Sequence, residues 1–341
     1  MPKPSITFFC ELETPDLKVL FSDSKVMKDL SSLNANVSLG LLDLSMERAD
    51  IVKKLTRAGI PITAWLLLPK SEGYWTNLDT IQDAIRQYFK FKEWRNKHKL
   101  EISVIGLDIE PKLDTVLALG KNPVSQFKQI ARRYFSGKRY ASNEVDTRAL
   151  MQMIRSDGFA VETYQFPIVV DERAARSNFF TKILGILPLP SDREVLMLYS
   201  SFFPYYADSI LWSYAQHAKA VGIGSTGGGV ELEGLPPLKV LRWIDLKRDL
   251  LLASQAVNHL YIFSLEGCIK NNYMDRFIEL DWSTQVIPPT RTAMGVSLVR
   301  RVGQVVLCLL SHPFEALAGI LVGTLIFNRI KKIGKKEFPK T

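Results

Sequence analysis

The chain of 341 residues is 47% apolar and carries a formal net charge of +9, so it can build one large domain or two ordinary ones with a substantial core. From position 291 onward nine Lys or Arg stand against two Glu, which gives that segment +7 and leaves +2 for residues 1–290. This distribution does not favour nucleic-acid binding by the main part of the chain.

The cysteines and the first residues restrict the class further. Cys10, Cys268 and Cys308 are widely spaced and odd in number, which argues against a disulfide framework and against a cysteine-type zinc site. The apolar run that opens the chain is too short for a secretory signal. We therefore expect the main domain to lie in the cytosol.

Eight short apolar runs recur along the chain, most of them followed by a helical pattern. The runs cover residues 6–12, 37–44, 62–68, 101–110, 160–170, 195–202, 220–224 and 260–265. The helical patterns cover residues 16–33, 46–58, 78–97, 124–134, 144–156, 171–184, 205–219, 238–256 and 273–278. This alternation predicts a (β/α)8 TIM barrel over residues 1–288.

The fourth run ends in Asp108-Ile109-Glu110. Because side chains on a strand alternate between its two faces, Asp108 and Glu110 point the same way. Burial and mutual repulsion should raise the pKa of at least one of them, and a carboxyl that stays protonated near neutral pH can act as a general acid. The alternative is that both lie in a solvated turn or pair with Arg or Lys.

In such a barrel the carboxyl ends of the strands surround one mouth, where distant residues meet. The residues predicted there are Glu11, Glu13, Asp43, Trp65, Asp108, Glu110, Glu162, Tyr164, Gln165, Tyr199, Ser225, Thr226 and Glu266. Carboxylates accept hydrogen bonds from hydroxyls and aromatic rings stack on sugars, so this ring predicts a carbohydrate substrate. Tyr199 and Trp65 are also compatible with core packing, and residues 222–229 with a flexible rim loop.

The segment from Gly106 to Glu110 resembles the end of the D-x-x-D-x-D-x-E motif of the family 18 glycoside hydrolases, the chitinase-like barrels. Met197-Leu198-Tyr199 is similar to the Met-x-Tyr segment on the sixth strand of that family. The resemblance implies hydrolysis of a glycosidic bond in an N-acetylhexosamine-containing glycan. It implies Glu110 as proton donor, Asp108 as the residue that orients the N-acetyl group, and Tyr199 as its hydrogen-bond partner.

The sequence departs from the family pattern at several positions. Ser103 and Gly106 stand where the family has its two earlier Asp residues, and Ser200 stands where Asp is usual. Leu265-Glu266 occupies the place of the Trp that usually forms the sugar floor. Two alternatives therefore stay open: a retaining mechanism with two carboxylates, and a non-catalytic, membrane-anchored barrel that binds a glycan or a protein.

In the retaining mechanism Glu110 would be the acid/base and Glu266 or Glu162 the nucleophile. Other chemistries have less support. The four histidines do not fall at strand ends, and no G-x-S-x-G elbow occurs, which argues against a histidine metal site and a Ser-His-Asp hydrolase. We expect no cofactor and no metal, although an acidic metal site at the mouth stays open.

Residues 289–341 differ in composition from the rest. Residues 302–327 are strongly apolar apart from Gln304 and an interruption at residues 311–315, and residues 331–340 are rich in Lys. We predict attachment to a membrane through residues 302–330, as a span of about 20 residues, a hairpin or an interfacial helix. Its Lys residues would meet anionic headgroups. The alternative is a helical extension that packs on the barrel or on a partner subunit.

Overall fold

The computed structural model describes residues 3–112, 137–186, 189–203, 205–230 and 239–312, and positions 315, 324, 326 and 327. Eight parallel strands form a closed barrel in sequence order, with the last paired to the first. They are β1 (Ser5–Cys10), β2 (Asn36–Leu41), β3 (Ile62–Leu66), β4 (Val104–Ile109), β5 (Ala160–Gln165), β6 (Arg193–Met197), β7 (Ala220–Gly224) and β8 (His259–Phe263). The predicted (β/α)8 TIM barrel is confirmed.

Helices lie between and after the strands. They are α1 (Thr14–Ser22), α2 (Ser24–Leu33), α3 (Met46–Arg57), α4 (Ile81–His98), α5 (Gly137–Ser156), α6 (Ile168–Ala174), α7 (Phe179–Leu184), α8 (Ala207–Ala215), α9 (Trp243–Ser254), α10 (Leu265–Lys270), α11 (Met274–Ile278) and α12 (Thr290–Ser311). The helix predicted at 16–33 is divided because Asp23 ends α1 and caps α2, accepting a hydrogen bond from the N–H of Lys25 at 2.8 Å. The helix predicted at 124–134 lies outside the described residues.

Alternate strand residues face two different apolar cores. On β1, Phe8 and Cys10 face the helices, whereas Phe9 faces the barrel axis. The core inside the barrel contains Phe9, Trp65, Leu67, Tyr74, Trp75, Tyr164, Val195, Met197, Tyr199, Ala220, Tyr261 and Phe263. Aromatic rings therefore fill much of the barrel below its mouth.

The C-terminal helix α12 packs lengthwise on α8 through small hydroxyl side chains. Ser209 Oγ lies 2.5 Å from Thr292 Oγ1, and Ser213 Oγ lies 3.0 Å from Ser297 Oγ. Because these pairs occur in the same order along both helices, α8 and α12 run in the same direction. Helices that follow barrel strands run opposite to them, so α12 also lies alongside the barrel, antiparallel to its strands.

A buried ion pair fixes the middle of α12 to α6. The guanidinium of Arg300 approaches the carboxylate of Asp171 to 2.9 Å, with 8% and 4% of the two side chains exposed. Asp171 also accepts hydrogen bonds from Tyr214 and from Gln304. By length and composition α12 is long and apolar enough to cross a membrane. It begins at Thr290, whereas the sequence predicted the membrane-attaching segment from residue 302. Its polar face makes contacts with the barrel.

Candidate active site

The loop that follows β3 holds the carboxyl end of β4. The backbone N–H of Thr76 donates to the carbonyl of Asp108 at 2.9 Å, and Asn77 Nδ2 donates to the carbonyl of Glu110 at 3.0 Å. Thr76 also forms a β-bridge with Ile109. These contacts fix the backbone through the Asp-Ile-Glu segment, so its two acids project from the same face of the strand.

The carboxyls of Asp108 and Glu110 lie close enough to affect each other's protonation, and Asp108 Oδ1 is buried without a hydrogen-bond partner among the described residues. Asp108 is 4% exposed and Glu110 is half-buried. Burial and the charges of Glu110 and Glu11 raise the pKa of Asp108 well above its ordinary value. Burial also raises the pKa of Glu110, although the hydrogen bond from Asp108 opposes it, to about 7. Among the described residues no Lys or Arg pairs with either acid, so the pair retains a proton at neutral pH.

Glu11 follows β1 and joins the same acidic cluster. Its carboxylate accepts hydrogen bonds from the Tyr74 hydroxyl at 2.5 Å and from the N–H of Val230 at 3.3 Å. Burial outweighs these bonds, and the charges of Glu266 and Glu110 add to its effect, so the pKa of Glu11 rises from 4.5 to about 8. A second acid of the mouth therefore stays largely protonated at pH 7.

Glu266, in the first turn of α10, lies against Glu11. Its Oε1 accepts hydrogen bonds from the N–H of Gly229 at 2.8 Å and from the N–H of Glu11 at 3.4 Å. Its Oε2 is buried and has no hydrogen-bond partner among the described residues. Burial raises the pKa of Glu266, and burial together with the nearby charge of Glu266 raises the pKa of the Cys10 thiol. Glu266 is thus a half-buried acid whose buried Oε2 is unengaged.

Three consecutive glycines, Gly227–Gly229, pass directly over these two acids, and we call them the glycine strap. Each has a left-handed φ of +82° to +85°, which strains any other residue. A Cβ on Gly228 would lie 2.4 Å from Glu266 Cγ, and one on Gly229 would lie 2.8 Å from Glu11 Oε2. The segment predicted as a flexible rim loop is therefore the cover of Glu11 and Glu266.

Tyr199, two residues beyond the end of β6, completes the cluster. Its side chain is 7% exposed, and its ring centroid lies 5.9 Å from that of Phe263. Burial and then the charges of Asp108, Glu110 and Glu11 raise its pKa well above the ordinary value. The phenol is therefore a neutral hydrogen-bond donor beside the acids. The structure brings together Asp108, Glu110, Tyr199, Glu11 and Glu266 at the carboxyl ends of the strands.

Glu162 was predicted at the mouth, and the structure places it elsewhere. It is the third residue of β5, and it pairs with Arg193, the first residue of β6, at 2.9 Å. It also accepts hydrogen bonds from Tyr261 at 2.7 Å and from Thr63 at 3.3 Å. The strand ends at Gln165 rather than near 170, so Glu162 lies in the amino-terminal half of the barrel. There Arg193 balances its charge.

Trp65 and Tyr164 also lie inside the barrel, below the mouth. Trp65 is 3% exposed, and the rings of Phe9 and Tyr164 pack against it at 5.2 and 5.9 Å. The Tyr164 hydroxyl is 2.7 Å from Ser38 Oγ. Both rings are covered by neighbours, so neither presents a face on which a sugar could stack in this arrangement.

The remaining predicted residues lie at the rim or in its supports. Asp43, between β2 and α3, accepts hydrogen bonds from Thr14, Ser45 and the buried Arg48. Burial alone would raise the pKa of Asp43, but these hydrogen bonds outweigh it and lower the pKa. Asp43 is therefore an anion with a structural role. Glu13 is exposed at the start of α1. Gln165 Nε2 donates to Thr163 Oγ1, whereas Gln165 Oε1 is buried without a hydrogen-bond partner among the described residues. Ser225 Oγ accepts from the N–H of Gly227 in the glycine strap, and Thr226 Oγ1 donates to the carbonyl of Ser264.

Sequence reasoning missed Tyr74 and Asn77, both in the loop after β3. Tyr74 holds Glu11, and Asn77 holds the backbone of Glu110. Asn77 Oδ1 also accepts hydrogen bonds from the N–H groups of Asp79 and Thr80, just before α4. An Asn followed by Asp and Thr ahead of a helical pattern signals such a turn. Nothing in the apolar periodicity marks Tyr74, which has a left-handed φ of 68°.

Within the part of the chain that the structure describes, no group of three or more His, Cys, Asp or Glu side chains is arranged to hold a metal ion. The acidic cluster can donate a proton from a neutral carboxyl and accept one on an ionised carboxylate. It can also donate a hydrogen bond from the Tyr199 phenol. These are the groups that general acid and base catalysis requires.

No protein-family model matches the sequence, and no curated protein matches it. Among solved structures, the chain is similar to the PgaB (BpsB) glycoside hydrolase domain from Bordetella bronchiseptica, with 10% identity and a TM-score of 0.46 over 81% of this chain and 98% of that one. It is similar to D-allulose 3-epimerase from Methylomonas sp., with 11% identity and a TM-score of 0.41 over 77% and 85% of the two chains. A mutant tryptophan synthase alpha-subunit from Pyrococcus furiosus has 13% identity and a TM-score of 0.41 over 82% and 98%. These likenesses concern the barrel fold and carry no argument about activity.

Proposed function

We propose that this barrel hydrolyses a glycosidic bond, with Glu110 as the proton donor. The observation that carries the proposal is the pair of carboxyls at the end of β4, with Asp108 buried and Glu110 half-buried. Neither has a basic partner among the described residues, and the pKa of Glu110 is raised to about 7. A general acid works best when its pKa lies near the working pH, because it is then both protonated and able to release its proton.

The three residues have distinct roles in this proposal. Glu110, which is half-buried, reaches the substrate and protonates the leaving oxygen. Asp108, which is almost fully buried, keeps its proton directed at Glu110 and orients the reacting group. The neutral phenol of Tyr199 donates a hydrogen bond to the charge that develops as the bond breaks.

The resemblance to the family 18 hydrolases supports an N-acetylhexosamine-containing substrate, whose own acetamido oxygen would act as nucleophile. The barrel differs from that pattern at Gly106, where a Cβ would lie 2.3 Å from the Tyr164 hydroxyl. The space that the side chain of the family's Asp would fill is thus occupied by the side chain of Tyr164. If the substrate supplies no nucleophile, Glu266 is the better candidate than Glu162, since Glu162 is already paired with Arg193.

A non-catalytic barrel that binds a glycan or a protein is the second candidate function. The glycine strap favours it, because the strap covers the buried Glu11 and packs against Glu266. In this case the acids would accept hydrogen bonds from ligand hydroxyls without transferring protons. We also propose that the barrel works in the cytosol at a membrane surface, which the apolar helix α12 and the Lys-rich residues 331–340 support.

The test is hydrolysis of chromogenic N-acetylhexosaminides and other glycosides by the full-length protein in detergent. Glu110→Gln should lower kcat by at least about 100-fold, the usual contribution of a general acid, without a change in circular dichroism. Glu101→Gln is the matched control, since Glu101 is exposed just before the same strand. Full turnover by Glu110→Gln would reject the assignment. Glycan binding by the wild-type protein without any turnover would establish the second candidate instead.

A further inference from the structure

Helix α12 has the reverse of the usual arrangement of a surface helix, because its polar side faces the protein. The inward residues that hydrogen-bond to the barrel are Thr292, Ser297, Arg300, Gln304 and Ser311. Arg300 anchors this face, since it makes a buried ion pair with Asp171 and its guanidinium lies 3.7 Å from the ring centroid of Tyr214. The helix is thus fixed in its rotation about its own axis.

The outward side of α12 is almost entirely apolar, and we call it the α12 apolar face. Its members, 44% to 73% exposed, are Met294, Leu298, Val299, Val302, Val305, Val306, Leu309 and Leu310. By comparison, α1 and α3 each expose one large apolar side chain, Val19 and Met46. A continuous strip of eight such residues on one helix marks an interaction surface.

The sequence next to this strip indicates what covers it. After α12 come the apolar residues 314–330 and then the five lysines Lys331, Lys332, Lys335, Lys336 and Lys340. An apolar surface next to a basic segment is complementary to a bilayer with anionic headgroups. A second copy of the chain would cover the apolar strip but would place two lysine clusters close together.

The length of α12 alone would allow it to cross a bilayer, since 22 residues extend about 33 Å and the hydrocarbon core is about 30 Å thick. The ion pair argues against this orientation. Arg300 and Arg301 lie in the middle of the helix, so spanning would carry both to the bilayer centre. It would also remove α12 from the barrel and leave Asp171, 3% exposed, without its cation.

We propose that α12 lies in the plane of an anionic bilayer, with its polar face on the barrel and the α12 apolar face among the acyl chains. This inference rests on the membrane location proposed above and is independent of the glycosidase chemistry. The exposed Arg291 and Arg301, at the first turn and at the edge of the apolar face, then meet the headgroups. The barrel is held at the membrane as a rigid body, without a flexible tether.

Flotation with vesicles tests the surface. Full-length protein should bind vesicles of phosphatidylglycerol and phosphatidylcholine at least about tenfold more strongly than vesicles of phosphatidylcholine alone. Replacing Leu298, Val302 and Val305 by Glu should reduce binding to the anionic vesicles by a similar factor, whereas Val19→Glu on α1 should not. Unchanged binding by the triple variant overturns the proposal. So does a wild-type dimer that ignores vesicles and that the triple variant dissociates.

A fluorescent thiol label tests the orientation. Cys308 on α12 is exposed, whereas Cys10 and Cys268 are buried, so the native chain offers one reactive thiol. Labels at Cys308 and, in a Cys308→Ser background, at Met294→Cys and Val302→Cys are quenched by lipids that carry spin labels at known depths. Depths of no more than about 10 Å below the headgroups at all three positions support the in-plane helix. A deep Val302 label between two shallow ends means that α12 spans the bilayer, which overturns the proposal while leaving membrane attachment and the glycosidase assignment standing.

Discussion

The hydroxyl of Tyr164 on β5 occupies the space beside Gly106 on β4, so that a Cβ at position 106 would lie 2.3 Å from it. The same hydroxyl is 2.7 Å from Ser38 Oγ on β2. The side chain of Tyr164 thereby reaches across the inside of the barrel directly below Asp108. The acids of the mouth lie above this and the other aromatic side chains of the inner core.

Gly106→Ala should therefore destabilise the protein by about 1–3 kcal/mol through overpacking. Tyr164→Phe removes the nearest atom, so the double variant should lose less stability than the sum of the two single changes. Denaturant unfolding of the four proteins measures this coupling. Strictly additive losses would show that the two side chains do not compete for one space.

Stability should fall as the pH rises from about 5 to 8. The folded-state pKa values of Glu11 and Glu110, about 8 and about 7, exceed the ordinary value of 4.5. The unfolded chain therefore releases these protons first, and each tenfold difference in proton affinity between the folded and unfolded states is worth about 1.4 kcal/mol. Glu11→Gln should flatten the decline in unfolding free energy, and Glu101→Gln should leave it unchanged. A stability that is constant from pH 5 to 8 would contradict the buried, protonated state of Glu11.

The effect on stability of the contact between the glycine strap and Glu266 can be measured separately from the effect of the left-handed backbone of the strap. Gly228 and Gly158 have φ values of +83° and +86°, but nothing lies within 4 Å of a Cβ on Gly158, whereas one on Gly228 meets Glu266. Gly158→Ala should cost about 1 kcal/mol from the left-handed φ alone. Gly228→Ala should cost about 1–3 kcal/mol more and change substrate affinity. Equal losses in thermal unfolding would show that the strap lies clear of the acids.

Removing the cation of the α12 ion pair should be costly. Arg300→Ala leaves Asp171 buried and charged, and breaking such a pair typically costs about 3–5 kcal/mol. Arg301→Ala, the neighbouring and exposed arginine, should change the unfolding free energy by less than about 0.5 kcal/mol. Unfolding by denaturant in detergent compares the two variants. Similar small losses would mean that α12 is not anchored to the barrel through its middle.

The barrel could be predicted from the sequence because the same physical signal occurs eight times, and an error in one run does not alter the alternation. The Asp108–Glu110 pair could be predicted because strand alternation alone sets their common direction. The depth of a residue inside the barrel could not be predicted in the same way, because it depends on where the strand ends. Run 160–170 includes the end of β5 at Gln165 and the start of α6, so Glu162 was placed too near the mouth.

Contacts between segments far apart in the sequence could not be predicted, because the apolar pattern describes only neighbouring residues. Tyr74 meets Glu11 across 63 positions, and Arg300 meets Asp171 across 129. The composition of residues 302–330 indicated an affinity for lipid, but hydropathy cannot tell which side of a helix another helix will cover. The ion pair with Asp171 decides this, and it turns the polar side inward.

The parallel alignment of α12 with α8 determines how the acidic cluster would face its surroundings. A bilayer that touches α12 along its length would run beside the barrel, so the mouth of the barrel would look sideways over the lipid headgroups. A glycan would then enter by travelling laterally, at a height above the headgroups set by the radius of the barrel. Sugars carried on long stalks in the same leaflet, or polymers lying along the surface, would reach the acids, whereas short glycolipid headgroups would pass underneath.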